Sequence, residues 1–211
     1  MLNRLYRVLE HPACYQLSQL LFAPGADFFL KRLLQRIIQE QPVTDMLLDV
    51  GCGPASQLFD FDLKPVGLDL SHSYLVAYTR HSAPGVVSSA TALPFAPATF
   101  DSVWSTGLLH HLPDSAVRHC LDEIMRVVKP QGVVVLFDAV KPHSVWRRPP
   151  AALIRRLDRG RYMRNQEELA GLLPTRESWT IERYTYTLTG LEMLLCLRRG
   201  DGTDKREVHS P

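Results

Sequence analysis

The sequence predicts an α/β fold built on a parallel sheet, and three observations carry that prediction. Short apolar runs alternate with helical stretches along most of the chain. The runs are continuously apolar, as strands covered on both faces are. The first of them stops in a glycine turn, Asp49-Val50-Gly51-Cys52-Gly53. Strand and helix alternating in this way imply right-handed crossovers between parallel neighbours.

Residues 1–42 read as an N-terminal helical cap or lid. Leu5, Val8 and Leu9 form one apolar stripe, and Phe28, Phe29, Leu33, Leu34, Ile37 and Ile38 a stronger one at helical spacing. Pro12 and Pro24-Gly25 break the segment, and Pro42 ends it. The main domain is expected over residues 43–200. Its strands are 46–50, 66–70, 86–87, 102–106 and 132–140. Its helices are 73–81 and 115–128, the second closed by Lys129-Pro130 with Gly132 beyond. Residues 179–187 alternate and 191–197 are apolar, with Thr189-Gly190 between them, which predicts a closing hairpin. Residues 201–211 lack any apolar period and read as a disordered tail.

The 211 residues suit one domain, and 45% hydrophobic content suffices for a real core. A net charge of +2 gives no global argument for nucleic acid. Cys14, Cys52, Cys120 and Cys196 form no C-x-x-C pair, which argues against a zinc ribbon or a disulfide scaffold. No metal is expected, and a reduced cytoplasmic compartment is the simplest reading. No signal pattern opens the chain, and no run approaches the ~18 apolar residues that span a bilayer.

Glycines after a strand let the chain turn sharply and let a ligand approach the backbone. Asp69 lies at the end of the second apolar run, twenty residues after Asp49. Near that spacing, dinucleotide folds place the acid that takes the ribose hydroxyls. A carboxylate offers acceptors to both hydroxyls of a cis-diol; capping the helix that starts near Ser71 is compatible with that role. The third glycine of G-x-G-x-x-G is absent: Ser56 stands there, after Pro54 and Ala55, and Pro54 removes an N–H donor. A nucleoside without phosphates suits this turn better than a dinucleotide. No P-loop motif occurs.

Five segments in order carry a resemblance. They are Leu47-Leu48-Asp49-Val50-Gly51-Cys52-Gly53-Pro54, and Val66-Gly67-Leu68-Asp69-Leu70-Ser71. Next come Ala90-Thr91-Ala92-Leu93-Pro94-Phe95 with Thr99-Phe100-Asp101-Ser102-Val103. The last two are Leu108-Leu109-His110-His111-Leu112-Pro113-Asp114, and residues 123–132. Together they resemble the class I S-adenosylmethionine-dependent methyltransferases, in the broad group that includes ubiquinone/menaquinone-biosynthesis C-methyltransferases and small-molecule methyltransferases. The resemblance implies a Rossmann-like seven-stranded sheet, mostly parallel with an antiparallel last strand, and helices on both faces. It implies S-adenosylmethionine as cofactor and S-adenosylhomocysteine as product. Asp49, Gly51, Cys52 and Gly53 would border the methionine part, Asp69 would hold the ribose, and Leu70 would lie against the adenine. Ala90 and Thr91 would stand at the adenine edge, and Thr106 and Gly107 on the methyl-transfer side. Ser89 stands where the family has Asp or Glu, so it would accept from the adenine without charge assistance. The stretch between the turn and Asp69 is short for the family, which predicts a stunted first helix.

In-line methyl transfer works largely by alignment, with a base where the acceptor must lose a proton. His110 and His111 are the candidates, the alternative being that one packs under the helix and the other is solvated. Residues 141–170 form a basic insert with Lys141, Arg147, Arg148, Arg155, Arg156, Arg159, Arg161 and Arg164, interleaved with apolar side chains. Arg147, Arg148, Arg155 and Arg156 are its candidates for binding an anionic substrate or surface, against a solvated helical face as the alternative. The expected acceptor is a small or lipid-like molecule with acidic groups, with peripheral contact to an anionic membrane as a further expectation. Two other readings stand beside it: a tRNA or other nucleic-acid methyltransferase, less favoured because no RNA-binding module is present, and a non-catalytic binding protein of the same fold.

Overall fold

The computed structural model describes residues 26–40, 46–142, 160–186 and 191–200. The stripe of Leu5, Val8 and Leu9, the Thr189-Gly190 turn and the tail at 201–211 lie outside the described residues.

Seven strands form one sheet: β1 (Leu47–Val50), β2 (Val66–Asp69), β3 (Gly85–Val87), β4 (Phe100–Thr106), β5 (Val128–Val140), β6 (Trp179–Tyr186) and β7 (Leu191–Arg199). Their order is β3-β2-β1-β4-β5-β7-β6. β1 to β5 are parallel, and β7 is antiparallel to both neighbours. The antiparallel last strand of the sequence prediction is therefore the one inserted before β6. The strand order reverses between β1 and β4: β2 and β3 add on one side of β1, and β4 and β5 on the other. Such a switch opens a crevice at the carboxyl ends of the strands.

The pleat sorts the core into two layers. Leu48, Val50, Leu68, Val103, Val134 and Leu136 meet α3 (Asp114–Val127) through Val117, Leu121 and Ile124. Leu169 of the short helix α4 (Gln166–Ala170) joins that layer. Leu47, Trp104, Val133, Val135 and Phe137 face the other way, onto Leu33, Leu34 and Ile37 of α1 (Ala26–Glu40). Leu34 and Ile37 are each 1% exposed. Arg36 pairs with Glu182 at 2.8 Å, and this ties α1 to β6. α2 (His72–Tyr78) starts at Ser71, whose hydroxyl accepts from the Tyr74 N–H. It lays Tyr78 over Gly67, where a Cβ would stand 2.4 Å from the phenol ring.

Between β1 and β2 there is no α-helix, only a 3-10 turn at Gln57–Phe61. Ser56 caps it, and Asp62 ends it in the left-handed region at φ 57°. The stunted helix expected from the sequence is thus a single tight turn. Residues 88–99, between β3 and β4, also form no helix. Among the described residues, no helix is long and apolar enough to cross a membrane.

Candidate functional site

The glycine turn crosses the carboxyl end of β2. The N–H groups of Gly51 and Cys52 both donate to the Leu68 carbonyl, at 2.7 and 3.1 Å. Gly51 and Gly53 have φ of 74° and 61°, a region that disfavours any side chain. A Cβ on Gly51 would also come within 2.9 Å of Leu108, whereas around Gly53 nothing lies within 4 Å of such an atom. The turn is therefore closed toward the β4 loop and open over Gly53.

Asp49 lies buried beneath the turn and accepts from the Ser56 hydroxyl at 2.5 Å. Ser56 in turn accepts from the Leu58 N–H at 3.2 Å. Burial, with the charge of Asp69 adding to it, pushes the Asp49 carboxyl up to about 6 despite the Ser56 bond. The folded protein thus holds this proton more tightly than the unfolded chain does. That contribution to stability is complete below the ordinary aspartate range and is lost as pH rises through about 6. Asp49→Asn should remove an ionisation penalty of about 3 kcal/mol, at 1.36 kcal/mol per unit. At pH 8 it should melt roughly 6–12 °C above the parent, and the gap should close near pH 4. Thermal melts at the two pH values check this; an equal or lower Tm at pH 8 would refute it. Burial first, and Asp49 next, also push the Cys52 thiol well above its usual range, so it is an unreactive wall.

Asp69 holds the turn from the side. Its Oδ2 accepts from the Gly53 N–H at 3.1 Å and its Oδ1 from the Ser71 N–H at 2.8 Å. An ionised carboxylate has about four acceptor positions, so two such bonds leave capacity for a diol. Leu70 follows with 76% exposure, an apolar side chain presented outward beside that carboxylate. Ser89 and Thr91 join hydroxyls at 2.8 Å, and Ser89 Oγ also accepts from the Thr91 N–H at 3.2 Å. Ser89 therefore organises its own loop, with Ala90 half-buried between the two.

Two residues on α3 secure that loop; both stand in the 123–132 segment, where the sequence gives neither a role. Glu123 accepts from the Leu93 N–H at 2.7 Å. Arg126 donates to the carbonyls of Phe95 and Leu93 at 2.8 and 2.9 Å and pairs with Glu123 at 2.7 Å. The Arg126 bond holds the Glu123 carboxyl below its usual range. Arg126→Met should loosen residues 89–95 and weaken S-adenosylhomocysteine binding by about 3- to 10-fold, at roughly 1 kcal/mol per lost bond. Calorimetric affinity equal to the parent's would show that the loop does not depend on the clamp.

At the next strand ends, Thr106 closes β4 and Gly107 turns at φ 71°, its N–H donating to Phe137 at 2.9 Å. His110 is buried, and its Nδ1 lies 2.5 Å from Asp138 Oδ1. Asp138, 2% exposed on β5, also accepts from the Ala139 N–H at 2.6 Å and from the Leu109 N–H. An acceptor-only carboxylate at Nδ1 selects the Nδ1–H tautomer and makes Nε2 the basic nitrogen. The Cε1 corner of the ring points to Gly107, 3.8 Å from where a Cβ would stand. His111 is exposed, its ring centroid 4.1 Å from that of His110. Asp138 carried a signal in the sequence, as the one charged residue in the apolar run 133–140. Arg147, Arg148, Arg155 and Arg156 lie outside the described residues. Arg164 follows β5, and its buried side chain packs against the loop after β4.

Residues 48–136 match the family described as Methyltransferase domain. The chain is 33% identical, over 51% of its length and 38% of the relative's, to the 2-methyl-6-phytyl-1,4-hydroquinone methyltransferase of Synechocystis sp.. It is 30% identical, over 71% of its length and 65% of the relative's, to the 27-O-demethylrifamycin SV methyltransferase of Amycolatopsis mediterranei. The chain thus spans less than two thirds of either relative. Other relatives are named as tRNA methyltransferases. Among solved structures, a SAM dependent methyltransferase from Archaeoglobus fulgidus shares the fold with a TM-score of 0.69 at 16% identity, covering 88% of this chain and 99% of that one.

Proposed function

We propose that this chain, whose residues 48–136 match the Methyltransferase domain family, is a class I S-adenosylmethionine-dependent methyltransferase that methylates a small or lipid-like acceptor that gives up a proton. The observation that carries this reading is a run of adjoining residues at the carboxyl edge of the sheet. Leu108 lies against Gly51, and Gly107 against His110, so the glycine turn adjoins the buried Asp138–His110 pair.

The residues present fit the cofactor. Asp69 suits the ribose hydroxyls, exposed Leu70 an adenine face, and the open side of Gly53 an amino-acid moiety approaching the backbone. Bound S-adenosylmethionine supplies an electrophilic methyl group on a sulfonium. Ser89, Ala90 and Thr91 border the adenine edge, and Asp49 with Gly51 and Cys52 backs the methionine end. Thr106 and Gly107 line the transfer side and help to exclude water. His110, held as the Nδ1–H tautomer by Asp138, takes the acceptor's proton at Nε2. That role favours a hydroxyl or an acidic carbon over an amine, which attacks unaided. The named acceptors of the hydroquinone and rifamycin relatives support this class. Acidic groups on the acceptor would suit the arginines of the basic insert.

Calorimetry with S-adenosylhomocysteine, then incubation of metabolite extract with methyl-labelled donor, tests the proposal. Binding, with label in a small-molecule or lipid fraction, is expected. No binding at millimolar concentration refutes the cofactor, label in tRNA refutes the acceptor class, and binding without turnover refutes the enzyme.

A further inference from the structure

We propose that Gly160 and Arg164 are positioning residues for His110, forming a saddle that seats its ring against Asp138. The inference rests on the assignment of His110 as proton acceptor, and it concerns residues 160–164, in the second half of the basic insert.

Three contacts make the saddle. A Cβ on Gly160 would stand 2.2 Å from His110 Cδ2 and 3.1 Å from both its Cγ and its carbonyl oxygen. Only a glycine lets this backbone lie so close to the imidazole. Two residues on, the Tyr162 N–H donates to the His110 carbonyl at 3.0 Å. Two further on, Arg164 enters the fold with its side chain only 7% exposed. Its Nη1 donates to the Leu109 carbonyl at 2.9 Å and its Nη2 to the Leu112 carbonyl at 2.7 Å. Nε and Nη2 both reach Asp114 Oδ1, at 2.9 and 2.6 Å. One guanidinium thus spans the residues on both sides of His110, which the fixed fork of arginine permits and a lysine ammonium does not.

The segment is itself anchored to the sheet. Arg164 pairs with Val140 as an isolated parallel bridge, and its carbonyl accepts from the Lys141 N–H at 2.7 Å. The His110 ring is therefore bounded at its Nδ1 edge by Asp138 and at its Cδ2 edge by Gly160. These two restraints orient the Cε1–Nε2 end. The cofactor residues on β1 and β2 make none of these contacts, so the saddle governs proton acceptance separately from cofactor binding.

The test uses the full chain, with Gly160→Ala and Arg164→Lys. Long-range proton–nitrogen correlation reads the His110 ring nitrogens, its signals identified by their loss in His110→Gln, and calorimetry reads S-adenosylhomocysteine affinity. The parent should show the Nδ1–H pattern at neutral pH. Gly160→Ala should lose that pattern as the added methyl displaces the ring, and Arg164→Lys should lose part of it. Affinity should stay within about 2-fold of the parent, as for sites that share no contact. If Gly160→Ala does not fold, Arg164→Lys decides. Folded variants with the parental ring pattern overturn the proposal, as does a loss of cofactor affinity equal to the change at His110. A parent that fails to bind S-adenosylhomocysteine overturns the cofactor assignment instead, and the ring pattern still decides the saddle.

Discussion

Asp69→Ala should weaken S-adenosylhomocysteine binding by about 100-fold. A hydrogen bond to a charged group contributes about 1.5–3 kcal/mol, and two hydroxyls of a ribose would each lose one. Half-exposure of the carboxylate lets water compete, which sets the estimate at the low end of that sum. A second loss adds to the first, because the N–H groups of Gly53 and Ser71 both donate to this side chain. Without it the turn over the open side of Gly53 loses its lateral support. Asp69→Asn keeps one acceptor oxygen and no charge, so about a 10-fold loss is expected. Calorimetry of the three proteins checks the series. Parental affinity in Asp69→Ala would show that the diol is held elsewhere.

The second large effect is expected at Asp138. Asp138→Asn should lower kcat by about 10²- to 10⁴-fold, the range general-base catalysis spans, with cofactor affinity unchanged. The carboxylate accepts from His110 Nδ1, the Ala139 N–H and the Leu109 N–H. An amide has one acceptor oxygen, so its NH₂ must face one of those donors. The least costly adjustment turns His110 Nδ1 into an acceptor, which moves the ring proton to Nε2 and removes the base. His110→Ala should fall as far, and the double variant no further, because the two act as a unit. Methyl transfer to the acceptor found by labelling, assayed across these variants, is the measurement. A loss under about 3-fold would mean that alignment alone drives the reaction.

Much of this fold was legible in the residues. The strand runs at 46–50, 66–70 and 102–106 and the helix at 115–128 are found within a few residues of where they were read. Continuous burial on two faces leaves an unmistakable apolar pattern there. The cofactor candidates Asp49, Gly51, Gly53 and Asp69 were readable because a strand end, a turn and a second strand end bring them together locally. The α4 helix was missed, since its five residues carry too little periodicity to register. Asp138 was missed as a partner of His110 because the pair is separated by 28 residues and joined only by the adjacency of β4 and β5. Glu123 and Arg126 look like an ordinary helix-surface pair, and their hold on residues 93–95 exists only once α3 lies across that loop.

By itself, then, the sequence determined the layered α/β class, the glycine turn that φ-positive positions require, and the acid at the end of the second strand beside that turn. Those features depend on period, on backbone sterics and on short separations along the chain. The tertiary structure decided which histidine is buried, what fixes its tautomer, and that Gly160 and Arg164 reach back to seat it. Such contacts arise where β4, β5 and the segment at 160–164 converge. No local pattern encodes them, because the carboxylate, the ring and the guanidinium become neighbours only after the sheet has assembled.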